Sequence, residues 1–215
     1  MSAAVENGSG IAWLLYGMEH FAVAVAAISG VLAARGKHVD LFGVLVLAAV
    51  TAFGGGTVRD LLVGDFPVAW TRDPNLLATV SIAAVLTFLL ARFAEFPGRL
   101  LLVADAFGLS LFTIIGAQKA LHFHVAPSLA VVMGVITGVA GGALRDVLTG
   151  EIPLVFRPQI HLYATAALLG GAVFVVLAHI PCCARSAVIA GVGVTLVLRL
   201  AAMRWKLVLP VFVTK

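Results

Sequence analysis

The amino-acid sequence predicts an all-α membrane protein: seven transmembrane helices as a 3+3 inverted repeat plus a seventh helix, with helices 2 and 5 broken at glycines. Three observations predict it. Of 215 residues, 62% are hydrophobic and 11% charged, whereas a soluble domain carries about 25% charged residues. Apolar runs recur along the whole chain at about the 20-residue length that crosses a bilayer as helix, without the short alternation of a transmembrane barrel. Finally, one glycine-rich stretch of fifteen residues occurs twice.

The seven runs fall near 11–34, 41–63, 76–96, 100–121, 126–149, 160–180 and 184–203. Short turn segments separate them: Arg35-Gly36-Lys37-His38, Thr71-Arg72-Asp73-Pro74, Phe96-Pro97-Gly98-Arg99, Phe156-Arg157-Pro158 and Pro181. No linker divides the chain, so 1–215 reads as one transmembrane domain, with repeat 1 at 11–96, repeat 2 at 97–181, and the seventh helix and tail at 182–215. The first ten residues have no basic n-region, and no small-residue cleavage site follows the first run, so the first helix is expected to stay. Trp13, Tyr16, Trp70 and Trp205 near span ends read as interfacial anchors. The adjacent Cys182 and Cys183 suit neither a disulfide nor a metal site.

The duplicated stretch runs from Phe53 through Gly54-Gly55-Gly56 and Arg59-Asp60 to Pro67. Its copy runs from Val139 through Gly141-Gly142 and Arg145-Asp146 to Pro153, at an offset of about 86 residues. The same offset aligns Glu19 with Asp105, Phe21 with Phe107, Gly30 with Gly116 and Thr79 with Thr165. Spans one to three thus correspond to spans four to six. Three is odd, so the second unit enters from the opposite side, which makes the repeat inverted. Loops after spans one, three, five and seven hold Arg35, Lys37, Arg92, Arg99, Arg157, Arg204, Lys206 and Lys215. The other side holds Arg72, Lys119 and Arg185. The basic side is expected in the cytoplasm, with the N-terminus outside. The net charge of +4 is then an orientation signal and gives no reason to expect nucleic acid.

Each glycine costs a helix about 1 kcal/mol against alanine, and a cluster of them invites unwinding. Non-helical backbone survives at membrane depth only inside protein or beside water. A break would free carbonyls near Phe53 and Val139 at the negative end of a half-helix, which suits a monovalent cation. Asp60 and Asp146 would offset the positive ends of the second halves. The plain alternative is that the glycines let helices approach closely. Charges in the bilayer cost about 2.5–3.5 kcal/mol each even on lenient scales, so pairing is expected: Glu19 near Arg59 outside, Asp105 near Arg145 inside. Such pairs either gate a pore or merely join helices. Lys119 either snorkels to the headgroups or projects into a pore mouth. No Ser/His/Asp pattern, phosphate loop or redox cysteine pair occurs, so neither an enzyme nor a cofactor is expected.

The two glycine stretches, and above all Gly-Gly-Ala-Leu-Arg-Asp-Val-Leu-Thr-Gly-Glu-Ile-Pro from Gly141, resemble the bacterial branch of the TRIC family, the trimeric intracellular cation channels. This branch is also called the glycine-transporter-domain family. The resemblance covers essentially the whole chain. It implies a homotrimer in a bacterial inner membrane, each protomer with its own pore for K⁺ or Na⁺. The second and fifth helices would line that pore, bending at Gly54, Gly55, Gly56, Gly141 and Gly142. Ala140 stands where the first motif has Gly54, so the fifth helix is expected to bend less. A secondary carrier for a small zwitterion such as glycine remains the alternative, because inverted repeats with broken helices are also the carrier plan.

Overall fold

The computed structural model describes residues 2–93, 97–157, 162–181 and 183–205. Helices α1 (Ser2–Ala34), α2 (Leu41–Val63), a short α3 (Ala69–Arg72) and α4 (Pro74–Phe93) form a first unit. A second comprises α5 (Leu100–His122), α6 (Pro127–Leu148), a 3₁₀ turn (Leu154–Phe156) and α7 (Tyr163–Ala178), and α8 (Ala184–Trp205) follows. Among the described residues six helices are long and apolar enough to cross a membrane, while α7, with 16 residues, is apolar but shorter. The chain is thus an all-helical membrane protein. The expected start of a sixth span at Ile160, the turn residues Phe96 and Pro158, and Cys182, Lys206 and Lys215 lie outside the described residues.

Local chemistry sets the helix ends. The Asp40 carboxylate accepts from the Gly43 N–H at 2.8 Å and caps α2. Gly64 and Gly150, at φ of 73° and 71°, take the left-handed conformation that follows α2 and α6, where a Cβ is unfavourable. Each unit carries its own apolar core. Val23, Ala27, Leu47, Ala48, Val80 and Ala84 fill the first, and Ile114, Ala117, Ala130 and Phe174 fill much of the second, against α8. Outward faces are apolar too, with Phe42, Ile82, Phe93 and Ile189 exposed, as lipid rather than water requires.

The units join where α2 crosses α6 and α1 packs on α5. The crossing corrects one expectation: α2 and α6 run as unbroken helices through their glycines. No half-helix ends arise there, and no carbonyls of Phe53 or Val139 are freed by a break. The Phe53 carbonyl even accepts a second hydrogen bond, from the Thr57 hydroxyl at 2.9 Å. The glycines serve close approach instead. A β-carbon on Gly55 would lie 2.0 Å from the Thr137 carbonyl oxygen, and one on Gly141 would lie 2.3 Å from that of Thr51. These reciprocal contacts relate positions at the repeat offset. So do Gly30 against Ala48 and Thr51, and Gly116 against Gly134 and Thr137. With no side chain between them, backbones meet and Cα–H···O contacts become available.

Candidate functional site

At the end of α2 the repeat places Arg59 and Asp60 inside protein, 2% and 0% exposed. The Arg59 side chain turns back onto its neighbour, with Nε 2.9 Å and Nη2 2.8 Å from Asp60 Oδ1. From α5, Lys119 Nζ reaches the same oxygen at 2.7 Å and Asp65 Oδ2 at 2.6 Å. Asp60 Oδ2 accepts from the Ala69 N–H at 2.9 Å, which pins α3 beneath it. Arg72 closes the group by bonding Asp65. Arg72 first and Lys119 second hold the Asp65 carboxyl at about 2, below its ordinary 3.8.

The corresponding end of α6 repeats the frame. Arg145 Nε and Nη2 each lie 2.8 Å from Asp146 Oδ1, and Asp146 Oδ2 accepts from the Leu154 N–H at 2.8 Å. Here Arg145 also reaches across to α5, placing Nη1 2.9 Å from Asp105 Oδ1, and donates to the Ser29 hydroxyl on α1. Arg145 has no exposed surface at all. Where α1, α2, α5 and α6 meet, a cavity of about 20 Å³ adjoins this cluster and extends to the helix crossing. Ser29, Thr51, Gly55, Asp105, Thr137 and Arg145 line it. That volume admits about one water. Asp105 Oδ2 is buried, and no hydrogen-bond partner lies within reach of it among the described residues.

Several expected residues come together, and others do not. The Asp105–Arg145 pair forms. No ion pair joins Glu19 to Arg59 among the described residues; Glu19 is half-buried on α1, and Arg59 is matched by its own neighbour Asp60. Asp60 and Asp146 sit at helix C-terminal ends, where they hold basic side chains and the following loop. Lys119 is held by two carboxylates and keeps 20% of its side-chain surface. Gly54 packs on Leu144 and Gly142 on Asp105 and Tyr163, whereas Gly56 has only Arg59 nearby. Ser29, Asp65, Tyr163 and Arg199 also lie in or beside these clusters, and no motif singles them out as site residues in the sequence. For the last, the visible signal is an arginine deep inside the final apolar run, well past Arg185 at its start.

Basic loop residues gather at one end. Lys37 bonds Glu151, which also meets Arg157, and Arg92 shares a groove with Arg35 and His38. Lys37 first, and Arg157 more weakly, lower the Glu151 carboxyl.

The family model described as "Glycine transporter" matches residues 16–92 and again 102–179, two segments that start at the repeat offset. The chain is 46% identical over 203 residues to the UPF0126 inner membrane protein YadS of Escherichia coli strain K12, covering 93% of this chain and 96% of that protein. Among solved structures it resembles the TRIC trimeric intracellular cation channel orthologue from Rhodobacter sphaeroides. That match has a TM-score of 0.85 and 39% identity, over 90% of this chain and 99% of the other. A structure solved for conductance through TRIC cation channels matches with TM-score 0.82 and 35% identity, over 92% and 97%.

Proposed function

The chain belongs to the bacterial TRIC family, and from that premise we propose that it is a cation channel passing K⁺ or Na⁺ through a pore in each protomer of a homotrimer. The observation that carries this reading is the α2–α6 crossing with its small polar cavity and a buried carboxylate cluster at either end. Buried charge at such depth is expensive unless it serves a path. The pore would run beside Thr51, Gly55, Thr137 and Gly141, with the carboxylates of Asp60 and Asp105 offered to a passing cation. Lys119 and Arg145 hold those carboxylates, so the arrangement reads as a closed pore whose two tethered cations must withdraw. Glycine contacts without side chains let the two helices slide with little obstruction.

The three-plus-three-plus-one plan, with α7 as the shorter sixth span, and the basic end facing the cytoplasm of an inner membrane complete the proposal. A carrier for glycine shares the architecture. It requires a midplane site large enough for a zwitterion, and a cavity of about 20 Å³ favours the channel. Planar-bilayer recording of the purified protein across a K⁺ gradient, run beside counterflow of labelled glycine, decides. Unitary currents reversing towards the K⁺ potential support the channel, and saturable glycine exchange without unitary currents overturns it.

A further inference from the structure

We infer that Arg199, on the one long helix outside the repeat, is a positioning residue for the Asp105–Arg145 pair, holding Tyr163 beside Asp105 and supplying the charge that lets the pair part; this rests on the channel reading. The approach of α8 to α7 makes the placement possible. A β-carbon on Gly170 would overlap the Thr195 hydroxyl, and one on Gly191 would lie 2.8 Å from Phe174 Cβ. One turn beyond Thr195, Arg199 lies fully buried with its guanidinium carbon 4.6 Å from the centre of the Tyr163 ring. That distance is a cation–π contact. Tyr163, also buried, points its hydroxyl at the cluster. A β-carbon on Gly142 would find Asp105 Oδ1 at 3.1 Å, the Tyr163 hydroxyl at 3.3 Å and Arg145 Nη2 at 3.6 Å. Three side chains from three helices thus converge on the space a glycine leaves, and Arg199 from a fourth helix stands behind the Tyr163 ring.

Charge explains why a fourth helix takes part. Asp105 and Asp146 face a single guanidinium, Arg145. Without a further cation the cluster would hold one uncompensated negative charge in low dielectric, and the two carboxylates would hold Arg145 more tightly still. Arg199 brings the count to neutrality, repels Arg145 and shares the field of Asp105 through Tyr163. The cluster after α2 needs no such help, since Lys119 and Arg72 already serve it. At the position matching Tyr163 the first repeat has Leu77. Arg199 therefore sets how tightly the closed pair is held.

Single-channel recording of full-length protein in symmetric KCl tests this, with thermal melting of each variant alongside. Arg199→Gln is expected to lower open probability roughly tenfold without lowering unitary current. Tyr163→Phe keeps the ring and lowers it less, and Arg199→Lys stays within about twofold of wild type because it keeps the charge. Wild-type gating in Arg199→Gln overturns the inference. So does an equal loss in Arg199→Gln and Arg199→Lys, which would mark a packing role. If Arg199→Gln does not purify as folded protein, Tyr163→Phe decides: reduced open probability supports the inference and unchanged gating overturns it. A wild type silent to K⁺ in the same bilayers overturns the channel reading first, and this inference with it.

Discussion

The charge clusters at the ends of α2 and α6 share one Gly-Gly-x-x-Arg-Asp frame, yet one lies near the surface and the other is sealed. Lys119 and Arg72 retain 20% and 42% of their side-chain surface, whereas Arg145 and Asp105 retain 0% and 5%. Within each frame the geometry is nearly the same, with arginine Nε 2.9 or 2.8 Å from its aspartate. The difference comes from residues that duplication did not preserve. Lys119 stands where the first repeat has Ala33, and Ser29 stands where the second has Ile115. Shared residues build the crossing, and unshared ones make its two ends respond differently.

The sharpest way to break that comparison is to truncate one bridging cation at each end. Arg145→Ala leaves Asp105 and Asp146 buried without their partner and is expected to cost about 3–5 kcal/mol. Lys119→Ala, partly hydrated and with Arg59 and Arg72 remaining, should cost nearer 1–2 kcal/mol. Thermal melting in detergent measures both, and equal losses would erase the distinction.

Within the crossing, Gly55→Ala drives a β-carbon into the Thr137 backbone and is expected to cost about 1–3 kcal/mol through overpacking. Gly56→Ala meets nothing nearer than Arg59 Nη2 at 3.7 Å and should be neutral, or stabilising by up to about 1 kcal/mol. A double comparison with Gly141→Ala and Gly142→Ala extends the test to the second copy, where Gly141 is again the more crowded of the two and Gly142 is more crowded than its counterpart Gly56.

Function should separate the ends next. Lys119→Gln withdraws a tethered cation from between Asp60 and Asp65, so unitary K⁺ current is expected to rise about twofold or more, most clearly at low salt. Current unchanged at every ionic strength would remove Lys119 from the conduction path.

The smallest effect is acid sensitivity. Asp65 releases its proton more readily in the folded protein, at about 2 against 3.8. Its stabilising contribution is therefore complete above about pH 4 and lost as pH falls through 3.8 towards 2. The melting difference between wild type and Asp65→Asn should be flat above pH 4 and shrink below it. A difference that instead varies between pH 5 and 8 would assign the dependence to another group.

Much of this was legible beforehand because it depends on periodic or paired features of the chain. The apolar lengths locate the helices to within a few residues wherever they are described, except that α1 begins at Ser2 and not near 11, and the repeat brings Asp105 to Arg145. The sequence does not decide what Gly54 to Gly56 do, because glycine clustering has two physical meanings, unwinding and close approach, and sequence carries no contact to choose between them. Symmetry points Glu19 towards Arg59, but the neighbouring Asp60 is already within reach of that arginine.

The chain alone determined that it must live in lipid, since so little charge cannot cover a water-facing surface, and that it contains one unit twice, since coincident glycines, charges and a proline record duplication directly. Only the packed molecule decided which atoms fill the space beside those glycines. Whether a backbone without a side chain unwinds or presses against another helix depends on what arrives there. In this protein the carbonyls of Thr51 and Thr137 arrive, brought from positions dozens of residues away in sequence.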